Sequence, residues 1–353
     1  MNLAERPGAV LPSQPHGFDE ARLGAYLCLE LPGFSLPMRV ERIVGGQSNP
    51  TFIIETGTRR YVLRKKPAGA LLSSAHAVER EFRVMKALAG SAVPVPDARL
   101  LCEDAGVIGT PFYIMDFVLG RVFRDNRLPG MSAPERVAIY DAMGDTLAAL
   151  HRVDWQAAGL SNFGKPNSFV TRQIALWTRQ FTAAKTHDIP AMDRLMEWLP
   201  AHAPDVDETT VAHGDFRLEN MIFHPVEPRP LAVIDWELST LGHPLCDLAY
   251  NCMTYRLPNY MIGCGGLADV DIAALGLPDE ADYVARYCRI TGRGGIPNWP
   301  FFMAFSMFRS AAIVQGVYAR ALQDNAANAN AREIGLYAAP VADIAWSIAK
   351  SFR

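Results

Sequence analysis

His213-Gly214-Asp215-Phe216-Arg217-Leu218-Glu219-Asn220, followed fifteen residues after Asn220 by Asp235 in Ile234-Asp235-Trp236-Glu237, is the stretch on which the reading turns. Leu231-Ala-Val-Ile234 is a short, fully apolar run. It reads as a buried strand that delivers Asp235 at its end. Met221-Ile-Phe223 supplies a second strand, so the two make a hairpin. Asp215, Asn220 and Asp235 then converge on one side of it. Taken alone, Asp215 could cap a turn and Asn220 could satisfy buried backbone. The third polar residue, set on its own apolar strand, is what separates this stretch from a turn.

An acid and an amide five residues apart, on a loop between helix and strand, have the catalytic-loop spacing of protein kinases. Phosphoryl transfer needs a carboxylate to orient the acceptor hydroxyl and accept its proton. It also needs oxygen ligands that hold a metal beside the phosphates. Asp215 suits the first task, and Asn220 and Asp235 suit the second. With His213-Gly-Asp215 and Ile234-Asp235-Trp236-Glu237, the chain resembles the aminoglycoside phosphotransferase and choline kinase superfamily. The likeness continues through Gly242-His243-Pro244-x-x-Asp247-Leu-Ala249. It implies a protein-kinase-like bilobal α+β fold, ATP (or GTP) and Mg²⁺ as cofactors, and Asp247 as the brace of a catalytic loop containing His213 and Asp215. On residues alone, Asp247 also suits the N-cap of a helix beginning at Leu248.

The N-terminal part is strand-rich. Phe18 to Leu31 reads as a short helix stopped by Pro32-Gly33, and strands are expected over Met38 to Val44, Thr51 to Thr56 and Tyr61 to Arg64. A helix follows over Ala77 to Ala89, with Val78, Phe82, Met85 and Leu88 at helical spacing. Two more strands, Leu100 to Cys102 and Phe112 to Phe117, complete a small antiparallel sheet. After Gly120 the pattern is mainly helical. Pro134 to Arg152 is amphipathic, with Val137, Tyr140, Met143, Leu147 and Leu150 on one side, and Phe169 to Lys185 and Met192 to Leu199 continue it. We therefore expect a nucleotide-binding lobe over 1–118, with a loose tail and a leading helix, and a helical lobe with catalytic loop and acceptor site over 119–353.

Gly45-Gly46-Gln47-Ser48-Asn49 lies between two strands, where the resemblance places a phosphate loop. Glycines let backbone approach phosphate, and Gln47, Ser48 and Asn49 are candidate contacts. Without that context an ordinary hairpin turn explains the stretch. Arg64 stands where the family has its phosphate-binding lysine, and strand alternation puts Arg64 and Lys66 on one face and Lys65 on the other, toward solvent. Glu81 is the expected ion-pair partner of Arg64, in competition with Glu79. The resemblance docks adenine at the lobe connector, with Met115, Asp116 and Val118 as its candidate contacts.

Half of the 353 residues are hydrophobic and the net charge is −3. That is ample for a core and argues against nucleic acid or an acidic membrane as partner. The six cysteines form no C-x-x-C pair, and the N-terminus has no apolar signal region. The apolar run Trp299 to Ala312 is interrupted by Arg309 and opened by Pro300, which favours a buried helix over a membrane span. A cytoplasmic location follows as the expectation.

A closer resemblance is carried by Gly46-Gln-Ser-Asn-Pro-Thr51, Tyr61-Val-Leu-Arg-Lys-Lys-Pro67, His76, Glu79-Arg-Glu-Phe82, Val107-Ile-Gly-Thr110 and Gly120-Arg-Val-Phe-Arg-Asp125. These are similar to the kinase domain fused to certain acyl-CoA dehydrogenases, a group associated with phosphorylating the hydroxyl of 4-hydroxyacyl-CoA thioesters. The implied acceptor is a small-molecule hydroxyl, CoA-linked in this reading. Ending at Arg353, the chain is expected to act alone, with any acyl-CoA dehydrogenase partner encoded separately. Arg286, Arg289, Arg293 and Arg309 would suit a CoA phosphate. The first rival is an aminoglycoside acceptor, for which the acidic group Asp269, Asp271, Asp279, Glu280 and Asp282 would be the attraction. A nucleotide-binding pseudokinase rests on Arg64 alone, and a metal hydrolase would use His213, Asp215, Asp235 and His243.

Overall fold

The computed structural model describes residues 16–43, 49–57, 59–67, 77–205, 207–261, 265–323 and 330–352, and these form two compact units. The first holds the residues up to Arg83 together with Asp97–Phe117; the second holds Val84–Pro96 and Val118 onward. Residues 84–96, inside the segment read as the N-terminal lobe, thus group with the second unit. Their anchor there is the Val233 N–H, which donates to the Pro94 carbonyl at 2.8 Å.

The first unit is an antiparallel sheet with helices. Its strands are β1 (Met38–Arg42), β2 (Thr51–Thr56), β3 (Arg59–Lys65), β4 (Ala98–Cys102) and β5 (Phe112–Asp116), ordered β1-β2-β3-β5-β4. Helix α1 (Glu20–Glu30) starts at Asp19, whose carboxylate accepts from Arg22 N–H at 3.1 Å. Leu23 and Leu27 of α1 pack with Phe52, Ile54, Leu63, Phe112 and Ile114, the inward residues of three strands. Helices α2 (Val78–Leu88) and α3 (Ala105–Ile108) complete the elements before Phe117. The period of two in β3 and β5 turns Arg64 and Tyr113 to the face opposite that core, and the register pairs them directly.

The second unit is mainly helical: α4 (Ala133–His151), α5 (Phe169–Ala183), α6 (Pro190–Ala201), α7 (Pro244–Cys252), α8 (Ile272–Leu275), α9 (Glu280–Thr291), α10 (Trp299–Leu322), α11 (Ala331–Gly335) and α12 (Ala338–Ser351). Two small antiparallel pairs interrupt it, β6 (Thr210–Ala212) with β9 (Thr240–Gly242), and β7 (Met221–Phe223) with β8 (Pro230–Val233). Helix α4 buries a wider face than its spacing suggested: Ile139, Thr146 and Ala148 join Tyr140, Met143, Leu147 and Leu150 inside. Val137, expected on that face, is 39% exposed, because it sits in the first turns, before the helix is covered. Helix α10 is long and apolar enough to cross a membrane by length and composition, yet most of its apolar window is buried. It packs against α5, α7, α11 and α12.

Gly120 and Arg121 fasten the start of this unit to the β7–β8 hairpin. Arg121 and Phe223 exchange backbone hydrogen bonds of 2.7 and 2.8 Å. The Arg121 guanidinium donates to the His224 carbonyl at 2.9 Å and to those of Val226 and Glu227 at 3.1 Å. A Cβ on Gly120 would lie 2.2 Å from the Phe223 carbonyl oxygen, so only glycine permits the approach. Gly120→Ala should therefore lower stability by about 1–3 kcal/mol. Chemical denaturation is the check, and an unchanged midpoint would show that the approach is not needed.

Candidate active site

In the first unit, Glu81 is the centre of a buried polar cluster. Its carboxylate is 1% exposed and lies 3.2 Å from Arg64 Nε. It also accepts from Asn49 Nδ2 at 2.8 Å and from the Tyr113 hydroxyl at 3.0 Å. A buried ion pair holds only when hydrogen bonds meet its remaining valences, as the amide and the phenol do here. Glu79, the competitor, pairs with Lys66 at 2.9 Å. Asn49, read as a phosphate contact, instead has its side-chain amide on Glu81, because it is buried beside that carboxylate. Lys65 corrects a second expectation. It is buried rather than solvated, with its ammonium 5.5 Å from the centre of the Phe18 ring, and desolvation lowers its pKa. Gln47, Ser48 and His76 lie outside the described residues. Met115 is buried near the end of β5, Asp116 pairs with Arg99 at 2.9 Å, and Val118 is half-buried.

In the second unit, a loop between β6 and β7 carries the quoted motif. Gly214 has φ +84°, and a Cβ there would lie 2.6 Å from the Leu238 carbonyl oxygen, so a left-handed residue without a side chain makes this turn. Asp247, on α7, holds the turn from inside. Its two oxygens accept the backbone N–H groups of His213 and Gly214 at 2.7 and 2.9 Å. Helix α7 starts at Pro244, and His243 is its N-cap, accepting from Leu245 N–H at 3.2 Å. Asp247 is therefore not a cap for a helix starting at Leu248. Burial alone would raise the Asp247 carboxyl. His151, 3.4 Å away, and His213 outweigh that and hold it below the usual carboxylate value.

His213 is fully buried and has both ring nitrogens engaged. Nδ1 accepts the Asp215 N–H at 3.2 Å, which leaves Nε2 as the donor to the Ile234 carbonyl at 2.9 Å. It thus locks the loop to the end of β8. Asp215 is held at both oxygens: Tyr250 donates its hydroxyl to Oδ1, and Asn220 Nδ2 donates to Oδ2 at 3.0 Å. Burial first, and Asp215 second, push the Tyr250 phenol far up, so it stays a donor. Asn220 Nδ2 also donates to the Asp215 carbonyl at 2.8 Å, which fixes Oδ1 as the amide's remaining ligand atom. Ile234 N–H donates to the Asn220 carbonyl at 2.9 Å. Asp235 follows with φ 66° and ψ 57°, a left-handed conformation that a non-glycine residue keeps only when its surroundings impose it. Trp236 imposes it here: the ring is buried and its indole N–H donates to the Val233 carbonyl at 2.9 Å. His213, Asp215, Asn220, Asp235 and Asp247 are thus linked through one network in this unit.

Tyr250 and Asn251 of this network were not read as site residues, and Arg309 was read only as a candidate for a CoA phosphate. Tyr250 lies one helical turn after Asp247, which was its only sequence signal. Asn251 donates to the Phe216 carbonyl at 3.1 Å. Arg309 donates to the Gly214 carbonyl at 2.8 Å and stacks over Tyr250 and Trp177 at 5.2 and 5.6 Å. A single arginine inside an apolar helical run was its signal, since such a charge needs carbonyl or aromatic partners. Arg309 is thereby committed to the loop rather than to a ligand phosphate. Arg286 pairs with Asp145 at 2.7 Å and Asp141 at 3.1 Å, and Arg293 pairs with Glu208 at 2.7 Å. Four of the five carboxylates of the acidic group are likewise engaged, while Asp282 is exposed. Asp271 and Asp279 cap helices at 3.0 and 2.8 Å, Asp269 accepts from Asn259 N–H at 2.8 Å, and Glu280 binds Arg256 and Trp299 at 2.6 and 2.7 Å. His243 stacks on Phe302 at 4.9 Å while capping α7.

Residues 39–283 match the model of the phosphotransferase enzyme family (APH). Acyl-CoA dehydrogenase family member 10 of Mus musculus is 50% identical over 313 residues, 89% of this chain and 29% of the relative. Acyl-CoA dehydrogenase family member 11 of Gallus gallus is 44% identical over 356 residues, 99% of this chain and 46% of the relative. The chain thus spans less than half the length of these relatives. A crystal structure from Ralstonia eutropha, provisionally described as an aminoglycoside phosphotransferase, is 49% identical with a TM-score of 0.88, covering 95% of this chain and 99% of that one. Aminoglycoside phosphotransferase APH(4)-Ia, solved with AMP-PNP and hygromycin B, shares the fold at 17% identity and a TM-score of 0.61, over 93% of this chain and 99% of its own.

Asp247→Asn keeps the shape but replaces one of two acceptors by a donor facing an N–H. It should cost about 3 kcal/mol at neutral pH. A lowered carboxyl stabilises fully above its ordinary value of about 3.9 and loses that contribution as pH falls through the lowered one. Thermal melts from pH 7 to about 2 should therefore show a shallower acid limb in the variant. Parallel limbs of equal height would remove Asp247 from this role.

Proposed function

Because the chain belongs to the phosphotransferase enzyme family, we propose that it transfers the γ-phosphoryl group of ATP to a hydroxyl of a small molecule, and that the acceptor is a hydroxyacyl-CoA thioester. The observation that carries the transfer reading is the Asp215 carboxylate, held at both oxygens by Tyr250 and Asn220 on a loop braced by Asp247. A carboxylate so fixed can orient an acceptor hydroxyl and take its proton as the oxygen attacks phosphorus, with ADP leaving in line. The donor reading gains support from AMP-PNP in the APH(4)-Ia structure.

Asn220 and Asp235 offer hard oxygen donors next to each other in the chain's network, a set that suits Mg²⁺ rather than a softer metal. Asn220 Oδ1 is left for this by the engagement of Nδ2, and the left-handed backbone of Asp235 turns it off the end of β8. When bound there, the cation would neutralise phosphate charge. Arg64 is the phosphate-clamping residue of the first unit in this reading. Glu81 sets the plane of its guanidinium through Nε, and Tyr113 and Asn49 set Glu81. His213 and Asp247 act by positioning. Nothing in this scheme requires a covalent enzyme intermediate.

The acceptor class is supported by two observations. Two of the relatives quoted above carry acyl-CoA dehydrogenase names, although the Ralstonia eutropha structure is described as an aminoglycoside phosphotransferase. Most of the carboxylates that would have drawn a polycationic aminoglycoside are engaged, Asp271 and Asp279 as helix caps and Glu280 in an ion pair. Transfer from ATP should need Mg²⁺ and fall by a factor of about 10² or more in Asp215→Ala, measured as ADP formation with acceptor present. Parent-level turnover in that variant would sink the role of Asp215 in transfer, whereas ATP binding by thermal-shift titration with no turnover in the parent would leave a nucleotide-binding pseudokinase. A panel of hydroxyacyl-CoA thioesters, free hydroxy acids, choline and aminoglycosides decides the acceptor. Turnover of aminoglycosides with every thioester inert would reverse the assignment.

A further inference from the structure

Beside Asp215, wholly within the second unit, is a compartment of about 120 Å³. It shares two wall residues with the carboxylate: Tyr250, which donates to Asp215, and Arg217, whose Nε lies 3.7 Å from Asp215 Oδ1. Much of the remaining wall is apolar, from Met143, Leu218, Met253 and Leu257. Asn126 and Thr254 also line it, but they bond to each other at 2.8 Å and ask nothing of an occupant. No aspartate or glutamate among the described residues lines it.

Asn251 is the exception in the wall. It is 6% exposed, its Nδ2 is spent on the Phe216 carbonyl beside Asp215, and no donor among the described residues reaches its buried Oδ1.

We infer that this compartment receives the uncharged tail of the acceptor molecule, the part of its carbon chain beyond the reacting hydroxyl, and so sets acceptor length. The inference rests on the phosphotransferase reading and adds to it the place and the size limit of the acceptor. A volume of this order holds about six non-hydrogen atoms, since a cavity of about 150 Å³ takes up benzene. The tail lies against Tyr250 and Met253, and the hydroxyl remains at Asp215. Arg217, at the same edge, faces the polar side of the acceptor.

The test is a kcat/KM profile over a series of 4-hydroxyacyl-CoA thioesters of increasing chain length, read in the parent, Met253→Ala and Ser310→Phe. Ser310 lines the same compartment from α10. Because each profile is a ratio within one protein, a general loss of activity cancels. Met253→Ala should move the optimum to longer chains and Ser310→Phe to shorter ones, by roughly fourfold in relative kcat/KM per methylene. If Ser310→Phe does not fold, the shift in Met253→Ala decides alone. Superimposable profiles in parent and variants would overturn the compartment while leaving the transferase standing. Transfer by the parent to an aminoglycoside, with every thioester inert, would overturn both the thioester assignment and this compartment.

Discussion

The Asp247 carboxylate accepting the N–H groups of His213 and Gly214 is the constraint on which the second unit's chemistry depends. Two backbone donors at a left-handed turn would otherwise be buried without partners, and the turn could not form. Once it forms, everything downstream follows by short covalent or hydrogen-bonded steps. His213 reaches the end of β8, Asp215 is presented to Tyr250 and Asn220, and Ile234 hands Asp235 out of the strand. The brace itself is held by His151, whose other ring nitrogen contacts the Tyr287 hydroxyl at 2.6 Å. A chain of polar groups thus runs from helix α9 to the loop that carries Asp215 through a buried anion.

Burying that anion has a cost that the surroundings offset rather than remove. Arg309 closes the loop from the far side, binding the Gly214 carbonyl while lying over two aromatic rings. The loop is therefore gripped at both its N–H and C=O groups. Such a grip suits transfer chemistry that relies on positioning more than on covalent steps, since a displaced carboxylate loses its reach to the acceptor. The first unit solves the same problem of a buried anion with other partners. There a buried carboxylate, Glu81, is satisfied by a guanidinium, an amide and a phenol from three separate elements.

The charged residues outside these networks show how little a charge pattern says by itself. The acidic run around residue 280 looks like a cation-binding surface in the sequence, and in the structure its members cap helices and pair with Arg256. Arg286 and Arg293 look like phosphate ligands and instead tie helices and loops together. What is left near Asp215 is a small, mostly apolar compartment with one arginine at its edge. That contrast bears more on the acceptor than the net charge does.

Local spacing was enough for much of the rest. The hairpin of β7 and β8, the placement of Asp235 at a strand end, the antiparallel sheet and the pairing of Arg64 with Glu81 rather than Glu79 were legible, because periodicities of two and of three to four report which face a residue occupies. The family was legible from the wording of the motifs, and residues 39–283 carry it. Tertiary structure alone decided that Lys65 is buried, that Asn49 serves Glu81, that Tyr250 and Asn251 reach the loop, and that Arg309 braces it from 95 residues beyond Gly214. These are contacts between elements distant in sequence. Their partners are chosen by packing and by the need to satisfy every buried polar group, and neither leaves a local pattern.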